Sequence, residues 1–325
     1  MPTIAIDAMG GDRAPAETVW GAVEASDSGI DVVLVGDEAL IAPVLREADA
    51  DIPVVGASQV VEMHDDPARA IREKKDSSIA VAAELVATGT AAGLVSAGST
   101  GATMAAAAFI VGRLPGVSRP AVASVYPTGK TLIDAGANLE CRPMHLVQFA
   151  IMGCAIAEVY CGVDRPRVGL LNIGEEDAKG RSLERETFAL LSKSPGIDFV
   201  GNVEGRELGL DNADVIVTDG FTGNVLLKTS EGVGRAIYRL VLEALADDRY
   251  QEAIQALMPA FLELRRTLDA ENVGGAHLVG TKGVVVIGHG SSSRVAVSNA
   301  VTMAAEGVEK GLVERIASGV IDARP

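Results

Sequence analysis

Short apolar runs of strand length, each cut off by glycine and small polar residues, alternate with longer helical stretches along most of this chain. That alternation constrains the fold more than any other feature. Strands are predicted at Thr3–Ile6, Val32–Val35, Ile52–Val55, Gly93–Ser96, Ala121–Tyr126, Thr131–Asp134, Val168–Asn172, Phe199–Asn202, Val215–Thr218 and Val284–Ile287. Helices are predicted at Ala16–Ala25, Glu38–Ala48, Ser77–Ala87, Gly101–Val111, Pro143–Cys161, Ser182–Ser192, Asn224–Leu245 and Arg294–Ile316. Strands alternating with helices give an α/β fold: a mainly parallel sheet with helices on both faces.

In such sheets ligands bind beyond the carboxyl ends of the strands. Six turns fall there: "DAMGGD", "SAGSTGA", "DAGAN", "NIGEEDAKG", "TDGFTGN" and "IGHGSSS". The expectation is that all six gather at one edge of the sheet. The competing reading is that strand–helix connections use such residues in any case. The first turn joins an apolar strand ending in Asp7 to Gly10 and Gly11, with Pro15 at a helix start, where its missing N–H costs nothing. Backbone N–H groups and a helix N-terminus placed together favour an anion. Neither Gly-Lys-Ser/Thr nor Gly-x-Gly-x-x-Gly occurs there, so the anion need not belong to a nucleotide.

Within these turns Lys179 suits phosphate as a point charge. His289, between two glycines, can donate or accept a proton near neutral pH. Asn224 is either a helix N-cap or an amide donor facing a ligand. Gly98, Ser99, Thr100 and Gly101 form an N–H-rich cradle before a helix of very small residues. Those alanines serve close packing or leave room for a long apolar chain. Cys141 and His145 stand four apart, but no second pair of metal-ligand spacing accompanies them. No metal and no cofactor is expected.

The net charge of −16 argues against nucleic acid as a partner. Three cysteines in 325 residues form no disulfide framework, which points to a reducing cytoplasm. No signal peptide is legible, and no run approaches the ~18 unbroken apolar residues of a membrane span. One segment departs from the pattern. From Leu240 to Leu268 two helices are predicted, the second carrying Ile254, Leu257, Met258, Phe261, Leu262 and Leu268 on one stripe, interrupted by Pro259. The stripe is core packing, a dimer interface, or an apolar tip that dips into a membrane surface.

The stretches "IAIDAMGGDRAP", "REKKDSSIAVA", "LVSAGSTGATMA", "SRPAVASVYPT", "LIDAGANLECRPMHLVQFA", "GLLNIGEEDAKG", "VGNVEGRE", "DVIVTDGFTGNVLLKTSEG" and "HGSSS" together resemble the bacterial phosphate acyltransferases of phospholipid synthesis. The resemblance is collinear from about residue 3 to residue 310. It implies transfer of a long acyl chain from acyl carrier protein to inorganic phosphate, with acyl phosphate passed to a downstream membrane glycerol-phosphate acyltransferase. It implies one domain over residues 1–325, a three-layer α/β/α sandwich like that of isocitrate and isopropylmalate dehydrogenases. It further implies a homodimer, with a helical hairpin near 240–270 protruding at the subunit interface. By position, Lys179, Asn224 and His289 match the family's polar active-site residues. Asp7, Gly10, Gly11, Gly98, Ser99, Thr100, Gly101 and Asn138 become candidates to bind phosphate or the donor. Ser99 stands where the family commonly has Asn. A cytoplasmic enzyme with peripheral membrane contact through 250–268 follows. Acyl carrier protein is acidic, as is this chain, so docking needs a local basic patch. Arg235, Arg239, Arg249, Arg265 and Arg266 around the hairpin are the candidates.

Overall fold

The computed structural model describes residues 2–126, 128–268 and 274–322. In chain order the strands are β1 (Ile4–Asp7), β2 (Val32–Gly36), β3 (Val54–Gly56), β4 (Gly93–Ser96), β5 (Ala121–Val125), β6 (Thr131–Ile133), β7 (Arg167–Asn172), β8 (Asp198–Glu204), β9 (Val215–Val217), β10 (Ala276–Val279) and β11 (Val284–Ile287). They form one sheet in the order β3-β2-β1-β4-β11-β10-β5-β6-β9-β7-β8. The helices are α1 (Ala16–Asp27), α2 (Glu38–Glu47), α3 (Pro67–Glu73), α4 (Ser78–Ala87), α5 (Thr100–Ala106, continued by a π turn at Ala107–Val111), α6 (Pro143–Tyr160), α7 (Ser182–Leu191), α8 (Gly220–Leu245), α9 (Gln251–Leu268), α10 (Arg294–Glu309) and α11 (Leu312–Asp322).

Strand residues alternate between the two faces, as the two-residue period of a strand requires. Ala5 and Leu94 pack on one face with α4 and α5, and Leu132 and Ile216 lie on the same face in the block that α8 covers with Leu226 and Leu227. On the other face Ile4, Ile6 and Leu34 pack with α1 and α10, and Val168, Val215 and Val217 pack with α6 and α11. Both faces are therefore covered, which gives the expected three layers. Helix α6 is long and apolar enough to cross a bilayer by length and composition, yet Phe149, Met152 and Ile156 are buried in the core. It is the central helix of one outer layer.

Three elements differ from the sequence expectation. Strand β10 was not predicted; it contains the buried His277 and a short turn separates it from β11. Helix α3 begins at Pro67 after an Asp66 cap and was not anticipated either. The stretch 294–316 is two helices, because the chain turns at Gly311, where φ is +67°, a conformation that glycine adopts at little cost.

The larger correction concerns direction. Strands β3, β2, β1, β4 and β11 are mutually parallel. Strands β6, β9, β7 and β8 form a second parallel block. Between the blocks lie three antiparallel pairings, β11/β10, β10/β5 and β5/β6. An odd number of reversals makes the blocks run in opposite senses. The six turns therefore divide into two sets of three, and do not share one edge of the hydrogen-bonded sheet. Helix α8 starts at the end of β9 and leads into α9. The chain returns as β10, whose Ala276 pairs with Ile287 at the end of β11. The α8–α9 hairpin thus ends at the edge where β1, β4 and β11 end.

Candidate functional site

The first set of turns closes around Asp7. Its carboxyl is 3% exposed at the end of β1, and Oδ2 accepts a hydrogen bond from the Ser96 hydroxyl at 2.7 Å. Ser96 Oγ in turn accepts from the Gly98 N–H at 3.1 Å. Asp7 Oδ1 has no partner among the described residues. Burial pushes the Asp7 pKa up, opposed by hydrogen bonds from Ser78 and Ser96. A Cβ on Gly10 would sit 2.7 Å from both Asp7 Oδ2 and the Gly98 nitrogen, so the turns after β1 and β4 approach as closely as two bare backbones can. Gly11 has φ +113°, which a side chain would make costly.

These turns line a cavity of about 190 Å³ together with Asp12, Met63, Ser78, Ser99 and Thr103. That is smaller than the few hundred Å³ and more of a drug-sized pocket, and it suits a small polar group. Ser99 caps α5 through a long contact to the Ala102 N–H at 3.4 Å. Thr100 is the first residue of that helix. Gly101 serves packing: a Cβ there would lie 2.6 Å from Pro67 of α3. The His289 turn joins the same side through backbone contacts, Asp12 N–H to Gly290 O at 2.7 Å and Arg13 to Ser291 O. His289 itself is exposed and does not line the cavity. Its Nδ1 faces the Ser291 hydroxyl at 2.8 Å and the Ser291 N–H at 3.3 Å, which leaves Nε2 as the outward nitrogen.

The second set is a separate hydrogen-bonded network. Asp134, at the end of β6, accepts from Val122 N, Gly136 N, Ala137 N, Asn138 N and Asn138 Nδ2 at 2.7–3.1 Å. Burial pushes its pKa up while these donors pull the other way. Asn138 gives its second amide contact to Pro120 O at 2.8 Å, so both of its side-chain hydrogens are taken. It is placed to hold the turn, and this corrects the expectation that it faces a ligand. Gly220 and Gly223 let α8 begin against this turn; a Cβ on Gly223 would come within 1.9 Å of Asp134 O.

Asp219, not Asn224, caps α8, accepting from Thr222 N at 2.8 Å. Asn224 is exposed one turn further on, beside Gly136, and its amide makes no hydrogen bond among the described residues. Lys179 is half exposed on the turn after β7, with Glu176 at 3.8 Å. Arg181, which the sequence reading passed over, ties the Lys179 turn to the start of α8. It bonds Glu184 through Nε at 3.0 Å and Asp219 at 2.6 Å. Burial alone would raise both carboxyls; instead the Thr222 N–H and Arg181 hold Asp219 below the usual carboxylate range, and Arg181 does so for Glu184. The legible signal for Arg181 was its place two residues after Lys179 in "AKGRS". Among the described residues no hydrogen bond or ion pair joins one set of turns to the other.

Cys141 precedes α6 and does not share a helical face with His145, whose Nδ1 accepts the Arg142 N–H at 3.2 Å. Burial pushes the Cys141 thiol up to about 11 and the Cys154 thiol to about 12, far from a reactive thiolate. Among the described residues no group of three or more His, Cys, Asp or Glu side chains could hold a metal ion. In the hairpin, α9 continues through Pro259, and Val233, Ile237, Leu240, Leu257 and Leu262 are exposed. Of the stripe, Leu257 and Leu262 are exposed while Ile254, Met258 and Phe261 are partly buried; Val233, Ile237 and Leu240 belong to α8. The side chains of Arg266 and Leu268, and residues 269–270 of the expected hairpin, lie outside the described ones.

Residues 2–315 match the family model described as fatty acid synthesis protein. A protein of Desulfitobacterium hafniense (strain Y51) named phosphate acyltransferase is 46% identical over 324 residues, covering 97% of this chain and 96% of the relative. One of the same name from Anaeromyxobacter sp. (strain K) is 48% identical over 325 residues, covering 98% of this chain and 90% of the relative. Among solved structures, a phosphotransacetylase from Streptococcus pyogenes aligns with TM-score 0.64 at 17% identity, over 95% of this chain and 94% of that one. A 4-hydroxythreonine-4-phosphate dehydrogenase from Klebsiella pneumoniae aligns with TM-score 0.56 at 13% identity, over 95% of this chain and 100% of that one. The last two share the fold. Near-complete coverage at 46–48% identity, with a family model matched from residue 2 to residue 315, establishes that the chain belongs to the phosphate acyltransferase family, acyltransferases of lipid synthesis.

Proposed function

We propose that this enzyme moves a long-chain acyl group from acyl carrier protein to inorganic phosphate and releases acyl phosphate. The observation that carries the reading is the small polar cavity at the ends of β1 and β4, floored by close-packed glycine backbone. A phosphate oxygen attacks the thioester carbonyl carbon; the new C–O bond replaces the C–S bond, and the sulfur leaves as thiolate. A thiol with pKa of about 8.5 departs without a strong acid, so no covalent acyl-enzyme is needed. The inert cysteines agree with that.

Lys179 aims the anion, and the unengaged Asn224 amide donates to the oxyanion. With Nδ1 accepting the Ser291 N–H, His289 presents a protonated Nε2 that donates to phosphate. These groups come from both sets of turns. Six strand-to-strand steps separate β1 from β9. At the usual 20–25° per step, roughly 120–150° of twist accumulates between them, which turns the carboxyl ends of two opposed blocks toward a common side. That supports a cleft between the blocks as the reaction site.

The exposed apolar faces of α8 and α9 support a homodimer that pairs through the hairpin. The arginines there support docking of the acidic carrier, since Arg235 and Arg265 are exposed while Arg239 and Arg249 already face Glu243 and Asp247. We place the enzyme in the cytoplasm with peripheral membrane contact, where a membrane glycerol-phosphate acyltransferase consumes its product. The test is incubation with long-chain acyl carrier protein and phosphate, followed by trapping with hydroxylamine. Hydroxylamine-sensitive acyl phosphate is expected. Turnover of acetyl-coenzyme A in its place would make the chain a short-chain phosphotransacetylase.

A further inference from the structure

Val60, Val61, Glu62 and Met63 line the cavity one after another, and Glu62 and Met63 are exposed, so this loop is the solvent side of the site. Its two ends are fixed by separate elements. Gln59 pairs with Ser77 ahead of α4, and Asp66 caps α3 by accepting the Arg69 N–H at 2.8 Å. Between those ends the loop folds on itself, the Glu62 N–H meeting Asp65 Oδ2 at 2.8 Å and the Asp65 N–H meeting Glu62 O at 3.1 Å. Among the described residues, the hydrogen bonds that tie residues 60–65 to another element come from Lys74. Its Nζ donates to Val60 O at 2.9 Å and to Asp65 Oδ2 at 2.6 Å, one contact at each end of the stretch. The Lys74 backbone is anchored in turn, its N–H on Ala70 O at 2.7 Å and its C=O accepting from Ser77 at 3.1 Å. A partly exposed ion pair alone would be worth little. Here the same ammonium also holds a backbone carbonyl, and the loop it holds reaches across the site: a Cβ on Gly290 would lie 3.1 Å from the Met63 methyl, beside the turn that carries His289.

We infer that Lys74 is a positioning residue for the acyl transfer: it holds residues 60–65 as a flap across the cavity, and the flap keeps water from the thioester while phosphate attacks. The inference rests on the proposed phosphate reaction and adds what protects it. Water is the nucleophile that phosphate must outcompete. If water attacks the thioester carbonyl carbon, its oxygen forms the new C–O bond, the C–S bond breaks, and its proton goes to solvent. The products are then a carboxylate and a thiol, and the acyl group is lost. A loop closed over the site prevents this by excluding water. Lys74 does not itself line the cavity, so its removal leaves the reacting groups in place and changes which nucleophile reaches the carbon.

The experiment compares initial rates of thiol release and of labelled-phosphate incorporation into acyl phosphate, with long-chain acyl carrier protein as donor. The unaltered enzyme should give nearly one acyl phosphate per thiol. Lys74→Met keeps the apolar stem and removes the donors, so the ratio should fall about threefold or more, while Lys74→Arg, which keeps a cation with several N–H groups, should restore most of it. A merely structural residue would lower both rates together and leave their ratio alone. An unchanged ratio in Lys74→Met therefore overturns the inference, whatever happens to the overall rate or to the thermal melt. A ratio already far below one in the unaltered enzyme overturns it too. Should Lys74→Met fail to fold, Asp65→Ala removes the other half of the pair and is read by the same ratio, a fall supporting the flap and no change overturning it. Absence of any phosphate-dependent product from the unaltered enzyme would instead remove the proposed function, so the two failures are distinguishable.

Discussion

Two segments of this chain begin alike, "IDAMG" at Ile6–Gly10 and "IDAGA" at Ile133–Ala137, and both put an aspartate at the carboxyl end of a buried strand. Their surroundings differ. Asp134 is enclosed by its own turn, which supplies four donors and leaves the fifth to Val122 on the neighbouring strand. Asp7 is met by side chains from other segments, Ser96 and Ser78, and borders a cavity. The same three letters thus build a structural rivet closed by its own turn at one site and a carboxyl on the border of a cavity at the other. What separates them is whether the residues that follow fold back over the carboxylate. Asn138 does so after β6. After β1, Gly10 and Gly11 carry the chain past the carboxyl toward the turn after β4.

The contrast can be broken most directly at its rivet. Asp134→Ala strips five N–H donors of their acceptor and should cost about 4 kcal/mol of unfolding free energy, measured by urea denaturation. A loss below 1 kcal/mol would mean that the turn holds itself and that the contrast with Asp7 is illusory.

Next comes the functional half of the second set. Lys179→Ala should lower acyl phosphate formation roughly 10²-fold, as removal of a charge-stabilising group does, while the thermal melt stays put because Lys179 is half exposed and only loosely paired. Equal losses of stability and activity would reassign Lys179 to the structural role that Asp134 has. Arg181→Ala sits between these cases. It leaves the buried Asp219 and Glu184 carboxylates without their cation and should cost about 2 kcal/mol, with turnover falling through misplacement of Lys179. Since both acids are held below the usual range, their contribution is present at neutral pH and is lost as the pH falls through their folded values. The melt of Arg181→Ala should therefore be less acid-sensitive than that of the unaltered protein.

At neutral pH the smallest effect belongs to the strip between the blocks. His277 on β10 is fully buried against Tyr160, with ring centroids 4.4 Å apart and both ring nitrogens without a hydrogen-bond partner among the described residues. Burial pushes its pKa down to about 3. In the unfolded chain a histidine titrates near 6.5, so the unfolded state takes up the proton first as pH falls. Stability from the neutral ring is intact above about 6.5 and drains away toward pH 3, at up to about 1.4 kcal/mol per pH unit. His277→Phe should flatten that limb of the stability–pH curve; an unchanged slope would show that the ring finds a proton acceptor on folding.

Much of this architecture could be read in the letters because strands and helices are local. Short continuous apolar runs marked β1, β4, β9 and β11 almost to the residue, and glycine with polar residues marked where each strand stops. The same reading missed β10, whose "AHLV" carries a histidine that only burial makes strand-like. It ran α10 and α11 together because alanine and valine continue the helical pattern through Lys310 and Gly311. At the candidate site the sequence identified Asp7, Gly10, Gly98, Lys179, Asn224 and His289 as one group. It overlooked Ser96 and Arg181, whose importance lies in partners 89 and 38 residues away in sequence.

The sequence by itself determined the α/β class, the two covered faces, the glycine turns and, through its family resemblance, the acyltransferase chemistry. All of these depend on residue type at short spacing. The tertiary structure decided that the turns divide three and three between two opposed strand blocks, that Asn138 is committed to Asp134, and that Asp7 borders a cavity. Strand direction and hydrogen-bond saturation are properties of pairings between distant segments. The number of antiparallel steps between two blocks is a fact of sheet order, and no local pattern of residues encodes it.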